Sequence, residues 1–156
     1  MADGATLAEV LREHGPFVLD EALPILEALS SALTAAHALG IVHRDLKAAN
    51  VALADRTVKL LDFGIAKLLD AEGDGGFTTA GTKVGTPHYM APEQVLGRPI
   101  DHRADIYAFG ILVFEMLTGR RPFDGGTLAE IEERQLLEPP PSASQFAGVT
   151  ADLDAV

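Results

Sequence analysis

The chain has 156 residues, of which 47% are hydrophobic, and this length and composition indicate one globular domain with its own core. Its 23 acidic against 12 basic residues give a formal charge of −11, which argues against a nucleic-acid partner because such proteins need a basic face. The lack of cysteine excludes disulfides and thiolate zinc sites.

The first 40 residues are predicted to form two helices. The first covers 6–15, with Thr6 as its N-cap and Gly15 as its stop. The second covers about 20–39 and has Pro24 in its first turn, where proline is tolerated. Its core stripe is predicted to consist of Leu26, Leu29, Leu33 and Ala36.

Two short extended segments follow, VALA at 51–54 and TVKLLDF at 57–63, and they predict a small β-hairpin. A polar, glycine-rich loop comes next at 70–83. Loops of this length inside a compact domain are usually functional or disordered.

The second half of the chain is predicted to be helical. A short helix at 91–97 begins with Pro92, a helix at 101–119 is apolar nearly all round and should be central and buried, and a further helix covers 127–137. The last seven residues, 150–156, suggest the first turn of another helix. The predicted fold class is therefore mainly α with a small β-hairpin.

No signal peptide and no apolar run long enough to span a bilayer is found in the sequence. The longest candidate, at 106–119, contains Glu115 and is too short. We therefore expect a cytoplasmic location and no membrane segment in this chain, while a membrane anchor in a longer full-length protein stays open.

Several polar side chains lie between apolar stretches in the segment IVHRDLKAANVAL at 41–53. Burying such groups is costly unless each has a partner or a ligand. Asn50 and Asp62 are brought together by the hairpin between them, and amide and carboxylate oxygens are ligands that Mg²⁺ prefers. Taken alone, such an Asp/Asn pair beside a hairpin is most often a capped turn, and a magnesium site is the alternative.

Four motifs occur in order: HRDLKAAN at 43–50, DFG at 62–64, GTPHYMAPE at 85–93 and DIYAFG at 105–110. With this order and spacing the chain resembles the C-terminal, large lobe of a protein kinase, most closely the bacterial Ser/Thr kinases of eukaryotic type. The resemblance covers almost the whole chain. It implies a protein-kinase-like large lobe, and a reaction that transfers the γ-phosphate of ATP to Ser or Thr hydroxyls of proteins.

The resemblance also implies the catalytic residues. Asp45 accepts or orients the proton of the substrate hydroxyl, and Lys47 contacts the γ-phosphate and Asp45. Asp62 bridges Mg²⁺ to the β- and γ-phosphates of ATP, and Asn50 holds the second metal ion. Thr86 supports the Asp45–Lys47 pair and shapes the pocket for the phosphoacceptor.

Four residues are given structural roles by the same resemblance. His43 packs against Phe63, and Asp105 accepts hydrogen bonds from the backbone of the catalytic loop. Glu93 pairs in the family with an arginine from a later helix, which this sequence does not reach. Ala48 replaces the usual proline of the loop, which should loosen the turn slightly.

Regulation is implied for Arg44, which in the family receives a phosphate from the loop between DFG and APE. Thr78 and Thr79 are the favoured acceptors, ahead of Thr82. A phosphothreonine there would form charge-assisted bonds to Arg44 and order the loop. An unmodified, disordered loop is the alternative.

The sequence lacks the glycine-rich strands, the strand lysine and the helix glutamate of the small kinase lobe. We therefore expect residues 1–156 to be a partial kinase domain, from the post-hinge segment to the start of a late large-lobe helix, with little activity alone. Expected partners are ATP, protein substrates, and the missing small lobe or a second kinase chain.

Two other functions stay open. A truncated pseudokinase could act as a scaffold through GTPHYMAPE and the 127–137 helix, but the retained Asp45, Asn50 and Asp62 argue against it. A small-molecule phosphotransferase can share the catalytic-loop pattern, but GTPHYMAPE and the threonine-bearing loop serve protein substrates.

Overall fold

A computed structural model describes residues 4–54, 57–62, 87–146 and 149. Within these residues the chain forms five α-helices and a three-stranded antiparallel sheet. In chain order the elements are β1 Ala5–Thr6, α1 Leu7–His14, α2 Leu19–Ala38, β2 Val51–Ala54, β3 Thr57–Leu60, α3 Pro92–Val95, α4 Arg103–Thr118 and α5 Leu128–Leu137. Single 3₁₀ turns lie at Ala48–Asn50, Pro87–Tyr89 and Ala143–Gln145. The fold is mainly helical with a small sheet, which confirms the predicted fold class.

The sheet consists of the predicted hairpin and one additional strand. Strands β2 and β3 pair antiparallel from Val51 opposite Leu60 to Ala54 opposite Thr57. The predicted second strand was too long, because β3 ends at Leu60 and Asp62 turns to a positive φ of 50°. The sequence did not predict β1, whose two residues pair with the outer edge of β2.

A capping box starts α1, as the sequence predicted for Thr6. The Thr6 hydroxyl accepts a hydrogen bond from the Glu9 N–H at 3.3 Å, and the Glu9 carboxylate accepts one from the Thr6 N–H at 2.7 Å. These contacts with Thr6, through its backbone first and its side chain second, lower the pKa of Glu9. Gly15, at a φ of 83°, ends the helix as predicted.

Replacing Thr6 with alanine is expected to lower the free energy of unfolding by about 1 kcal/mol, since one N–H at the start of α1 loses its acceptor. A urea titration followed by circular dichroism would show a lower midpoint. The matched control is Thr34→Ala, an exposed position inside α2 where alanine is the better helix former. An equal fall in both variants would contradict a capping role.

The second helix differs from its prediction at Pro24. Since α2 begins at Leu19, Pro24 lies in the second turn and not in the first, so the helix lacks one backbone hydrogen bond. The burial of Leu29 and Leu33 of α2 offsets this defect. Leu26, which belongs to the predicted core stripe, is only half-buried.

The core lies around α4, which packs against α2. Leu112 and Met116 of α4 are fully buried, but Ile106 is 55% exposed, so the helix has a solvent face that its apolar sequence did not predict. The core cluster includes side chains from α1, α2, β2 and the segment before β2, namely Leu7, Leu29, Val51 and Leu46. Among the described residues, no helix is both long and apolar enough to cross a membrane.

Candidate functional site

The polar segment 43–50 is held between α2 and β2 by its own apolar residues. Leu46 and Ala48 are buried in the core, Lys47 between them is partly exposed, and Asn50 after them is buried. The segment ends in the 3₁₀ turn Ala48–Asn50, in which the Asn50 N–H donates to the Lys47 carbonyl at 2.9 Å. The turn leads directly into β2.

Asp105 of α4 anchors the start of this segment. Its side chain is 1% exposed, and its two carboxylate oxygens accept hydrogen bonds from the N–H groups of His43 and Arg44, both at 2.8 Å. His37 at the end of α2 contacts the same carboxylate, with Nε2 2.8 Å from Oδ2. One buried carboxylate thus joins two helices to the loop.

Arg44 has an unusual backbone conformation for a residue with a side chain. Its φ is 66°, in the left-handed region, which persists in a non-glycine residue only where the surroundings fix it. The Asp105 contact fixes its N–H, and Gln94 Nε2 donates to its carbonyl at 3.1 Å. The buried Nε of Arg44 has no hydrogen-bond partner within the described residues.

Two side chains converge on the Asp45 carboxylate. Lys47 Nζ donates to Asp45 Oδ2 at 2.9 Å, and Asn50 Nδ2 donates to the same oxygen at 3.2 Å and to the Asp45 carbonyl at 2.9 Å. The side chains of Asp45 and Lys47 are 25% and 22% exposed, so a ligand can reach them. The result is an oriented carboxylate beside an ammonium group.

Asp62 directly follows Leu61, the residue after β3 that hydrogen-bonds to the polar segment. The Leu61 N–H donates to the Asn50 carbonyl at 2.8 Å, and His43 Nε2 lies 3.0 Å from the Leu61 carbonyl. Asp62 comes next, exposed and with a positive φ. The backbone therefore connects Asp62 to Asn50 through a single hydrogen-bonded neighbour.

The oxygen atoms at this corner suit a hard cation. Asn50 uses its Nδ2 group for Asp45, which leaves its side-chain oxygen available as a ligand, and Asp62 offers an exposed carboxylate. In the described part of the chain, no group of three or more His, Asp or Glu residues is arranged to hold a metal. The ligation of a metal by Asn50 and Asp62 therefore stays a prediction, with which the chemistry of their oxygen atoms is compatible.

Of the remaining predicted site residues, Glu93 lies within the described residues and the others do not. Glu93 is half-buried, and burial together with the Glu93 charge raises the pKa of Tyr107 to about 12. No ion pair of Glu93 occurs within the described ranges. The predictions for Phe63, Thr78, Thr79, Thr82 and Thr86, and for the segment 150–156, lie outside the described residues.

Sequence reasoning missed two polar contacts beside the cluster. Tyr89 donates its hydroxyl hydrogen bond to Glu115 of α4, and His37 contacts Asp105. Glu115 could have been found as the one charge in the apolar run 106–119. His37 lies four residues after the buried Leu33, a spacing that indicates the same helix face.

Comparison with known proteins gives consistent matches. The sequence model of the protein kinase domain family matches residues 1–147. The chain is 48% identical to serine/threonine-protein kinase Pkn1 of Myxococcus xanthus, over 99% of this chain and 22% of that protein. It is 37% identical to serine/threonine-protein kinase PknB of Mycobacterium tuberculosis, over 99% of this chain and 25% of that protein. The chain therefore spans about a quarter of the length of these relatives.

Proposed function

The chain belongs to the protein kinase domain family, and from this premise we propose that it carries the catalytic lobe of a Ser/Thr protein kinase. The proposed reaction transfers the γ-phosphate of ATP to Ser or Thr hydroxyls of proteins, in the cytoplasm. The observation that carries the proposal is the Asp45 carboxylate held by Lys47 and Asn50. The named Ser/Thr kinases among the relatives support it. We further propose that residues 1–156 form only the post-hinge part of the kinase domain.

Asp45 is the proposed base. Because Lys47 and Asn50 both donate to Oδ2, the carboxylate is fixed in one orientation, and its other oxygen can accept a hydrogen bond from the substrate hydroxyl. A base must lie within hydrogen-bond reach of the proton it accepts, so this orientation matters more than basicity. The Lys47 ammonium, partly exposed at the same point, is available to the γ-phosphate.

Asn50 and Asp62 are the proposed ligands for Mg²⁺. Held there, Mg²⁺ would supply the positive charge that neutralises the negative charge growing on the phosphate during transfer. The chain's contribution is to orient the two oxygen donors. Asn50 is fixed by its bonds to Asp45, and Asp62 by a backbone tied through Leu61 to Asn50.

Phosphate transfer by the protein in the form its gene encodes tests the proposal. Radiolabelled ATP with Mg²⁺ and a generic basic protein substrate should give labelled Ser or Thr, and Asp45→Ala should not. Equal label from both would identify a contaminating kinase. Calorimetric titration with Mg-ATP separates the scaffold alternative, which predicts no heat at millimolar nucleotide.

We propose Arg44 as the receptor for a phosphate on Thr78 or Thr79. Its guanidinium has a buried Nε that has no hydrogen-bond partner among the described residues, and its carbonyl is held by Gln94. Such a group can form charge-assisted bonds to a phosphate.

Arg44→Gln is therefore expected to lower the activity of the phosphorylated enzyme by about tenfold, the loss of one charge-assisted contact. Thr78→Ala with Thr79→Ala should lower it similarly, and adding Arg44→Gln should cause little further loss. Steady-state kinetics on enzyme whose phosphorylation is verified by mass spectrometry checks this. Arg98→Gln, an exposed position, is the control. Independent, additive losses would contradict the pairing.

A further inference from the structure

A cavity lies beside the catalytic loop, and neither Asn50 nor Asp62 lines it. Its volume is about 450 Å³, and its walls come from α1, from the turn that follows Lys47, and from the end of α4. Small side chains at Ala48 and Ala49 form the loop side of the cavity. The cavity is therefore large enough for a substrate side chain and adjoins the proposed catalytic residues.

The cavity walls carry more positively than negatively charged side chains. Four charged side chains line it: Arg12, Lys47, Glu115 and Arg121. Lys47 is paired with Asp45, and Glu115 accepts the hydrogen bond of the buried Tyr89. Among the described residues, Arg12 pairs with its neighbour Glu13 at 3.5 Å, with both side chains mostly exposed, and its charge also acts on Glu9, while Arg121 is in no ion pair. Two guanidinium groups are thus left for a ligand, in a chain whose net charge is −11.

The charge of Arg121 affects the pKa values of His88 and Tyr89. After the dominant effect of burial, the Arg121 charge lowers the pKa of His88, and it also acts on Tyr89 against the larger effects of burial and Glu115. Its guanidinium is therefore close to the residues that follow Thr86 in the chain. Tyr89, which belongs to that segment, also lines the cavity.

We propose that this cavity binds a carboxylate side chain, Asp or Glu, of the peptide that is phosphorylated. The inference rests on the proposed kinase function and specifies its substrate class. Guanidinium groups match carboxylates in geometry and remain charged at all working pH values. A basic substrate side chain is the opposite assignment, and it would meet two guanidinium groups and a single carboxylate, that of Glu115, one oxygen of which accepts from Tyr89.

Peptide kinetics with the protein as encoded tests the inference. Matched peptides share one Thr acceptor and carry Glu, Gln or Lys at each flanking position in turn. We expect Glu to give a kcat/KM roughly three- to tenfold above that of Gln at one or two positions, the range for one or two partly exposed charge pairs. At those positions Lys should be the poorest substrate.

Charge reversal then assigns the preference to the cavity. Arg12→Glu and Arg121→Glu should each abolish the Glu over Gln preference, and together they should favour Lys. Arg120→Glu makes the same charge change at an exposed neighbour outside the cavity and should leave the preference intact. Because the readout is a ratio between two peptides on one enzyme preparation, partial unfolding of a variant does not alter it.

The outcomes separate the inference from the function it depends on. Transfer to all peptides without preference, or a Glu preference that survives both reversals, overturns the inference and leaves the kinase proposal standing. No transfer to any peptide overturns both.

Discussion

Replacing Asp45 with asparagine is expected to lower kcat for phosphate transfer by roughly 10²- to 10⁴-fold, the usual contribution of a positioned acid or base. The amide keeps the size of the carboxylate and can still accept from Lys47, but it cannot take a proton. The substrate hydroxyl therefore has no acceptor for its proton in the transition state. KM for Mg-ATP should change little, because the proposed metal ligands are Asn50 and Asp62.

Initial rates with labelled ATP measure this effect, and thermal unfolding shows whether the variant is folded. Its unfolding temperature should stay close to that of the parent, since the Asp45 side chain is 25% exposed. Asp20→Asn, an exposed carboxylate in the first turn of α2, is the matched control and should keep full activity. An Asp45→Asn variant with more than a tenth of the parent rate would mean that another group takes the proton.

The elements best predicted from the sequence are those whose ends are decided locally. Thr6 and Glu9 form a capping box within one turn, and Thr127 and Glu130 form another at the start of α5. Strand β1 could not be predicted in this way. Its two residues carry no pattern of their own and become a strand only because β2 offers a free edge next to them.

The same distinction between local and long-range contacts applies to the candidate site. Asp45, Lys47 and Asn50 lie within six consecutive residues, so a motif can place them together. The contact between Tyr89 and Glu115 joins residues 26 positions apart, and that between His37 and Asp105 joins residues 68 positions apart. Contacts of this kind depend on how helices pack, and spacing alone does not determine helix packing. The resemblance indicated a role for Asp105, whereas the spacing of His37 from Leu33 indicates a helix face but not the partner of His37.

Replacing Asp105 with alanine is expected to lower the free energy of unfolding by about 3–5 kcal/mol, the range for removing one partner from a buried polar network. The N–H groups of His43 and Arg44 would lose their acceptor, as would His37. For a domain of this size the unfolding temperature should fall by about 10 °C or more. Activity should also fall at temperatures at which the protein remains folded, because the left-handed backbone of Arg44 beside Asp45 would then lose the contact at its N–H and keep only that of Gln94 at its carbonyl.

Asp105→Asn distinguishes the network from simple burial. The amide has one acceptor oxygen, so one of the two backbone N–H groups would face an NH₂ group, and we expect an intermediate loss of about 1–3 kcal/mol. Calorimetry on the parent and both variants measures whether the stability of Asp105→Asn lies between that of the parent and that of Asp105→Ala. Asp101→Ala removes an exposed carboxylate four residues earlier, whose contacts are with Arg103, and should cause a far smaller fall. If Asp105→Ala and Asp101→Ala unfold at the same temperature, the carboxylate does not hold the loop, and the geometry of Asp45 must depend on the β2–β3 side of the site instead.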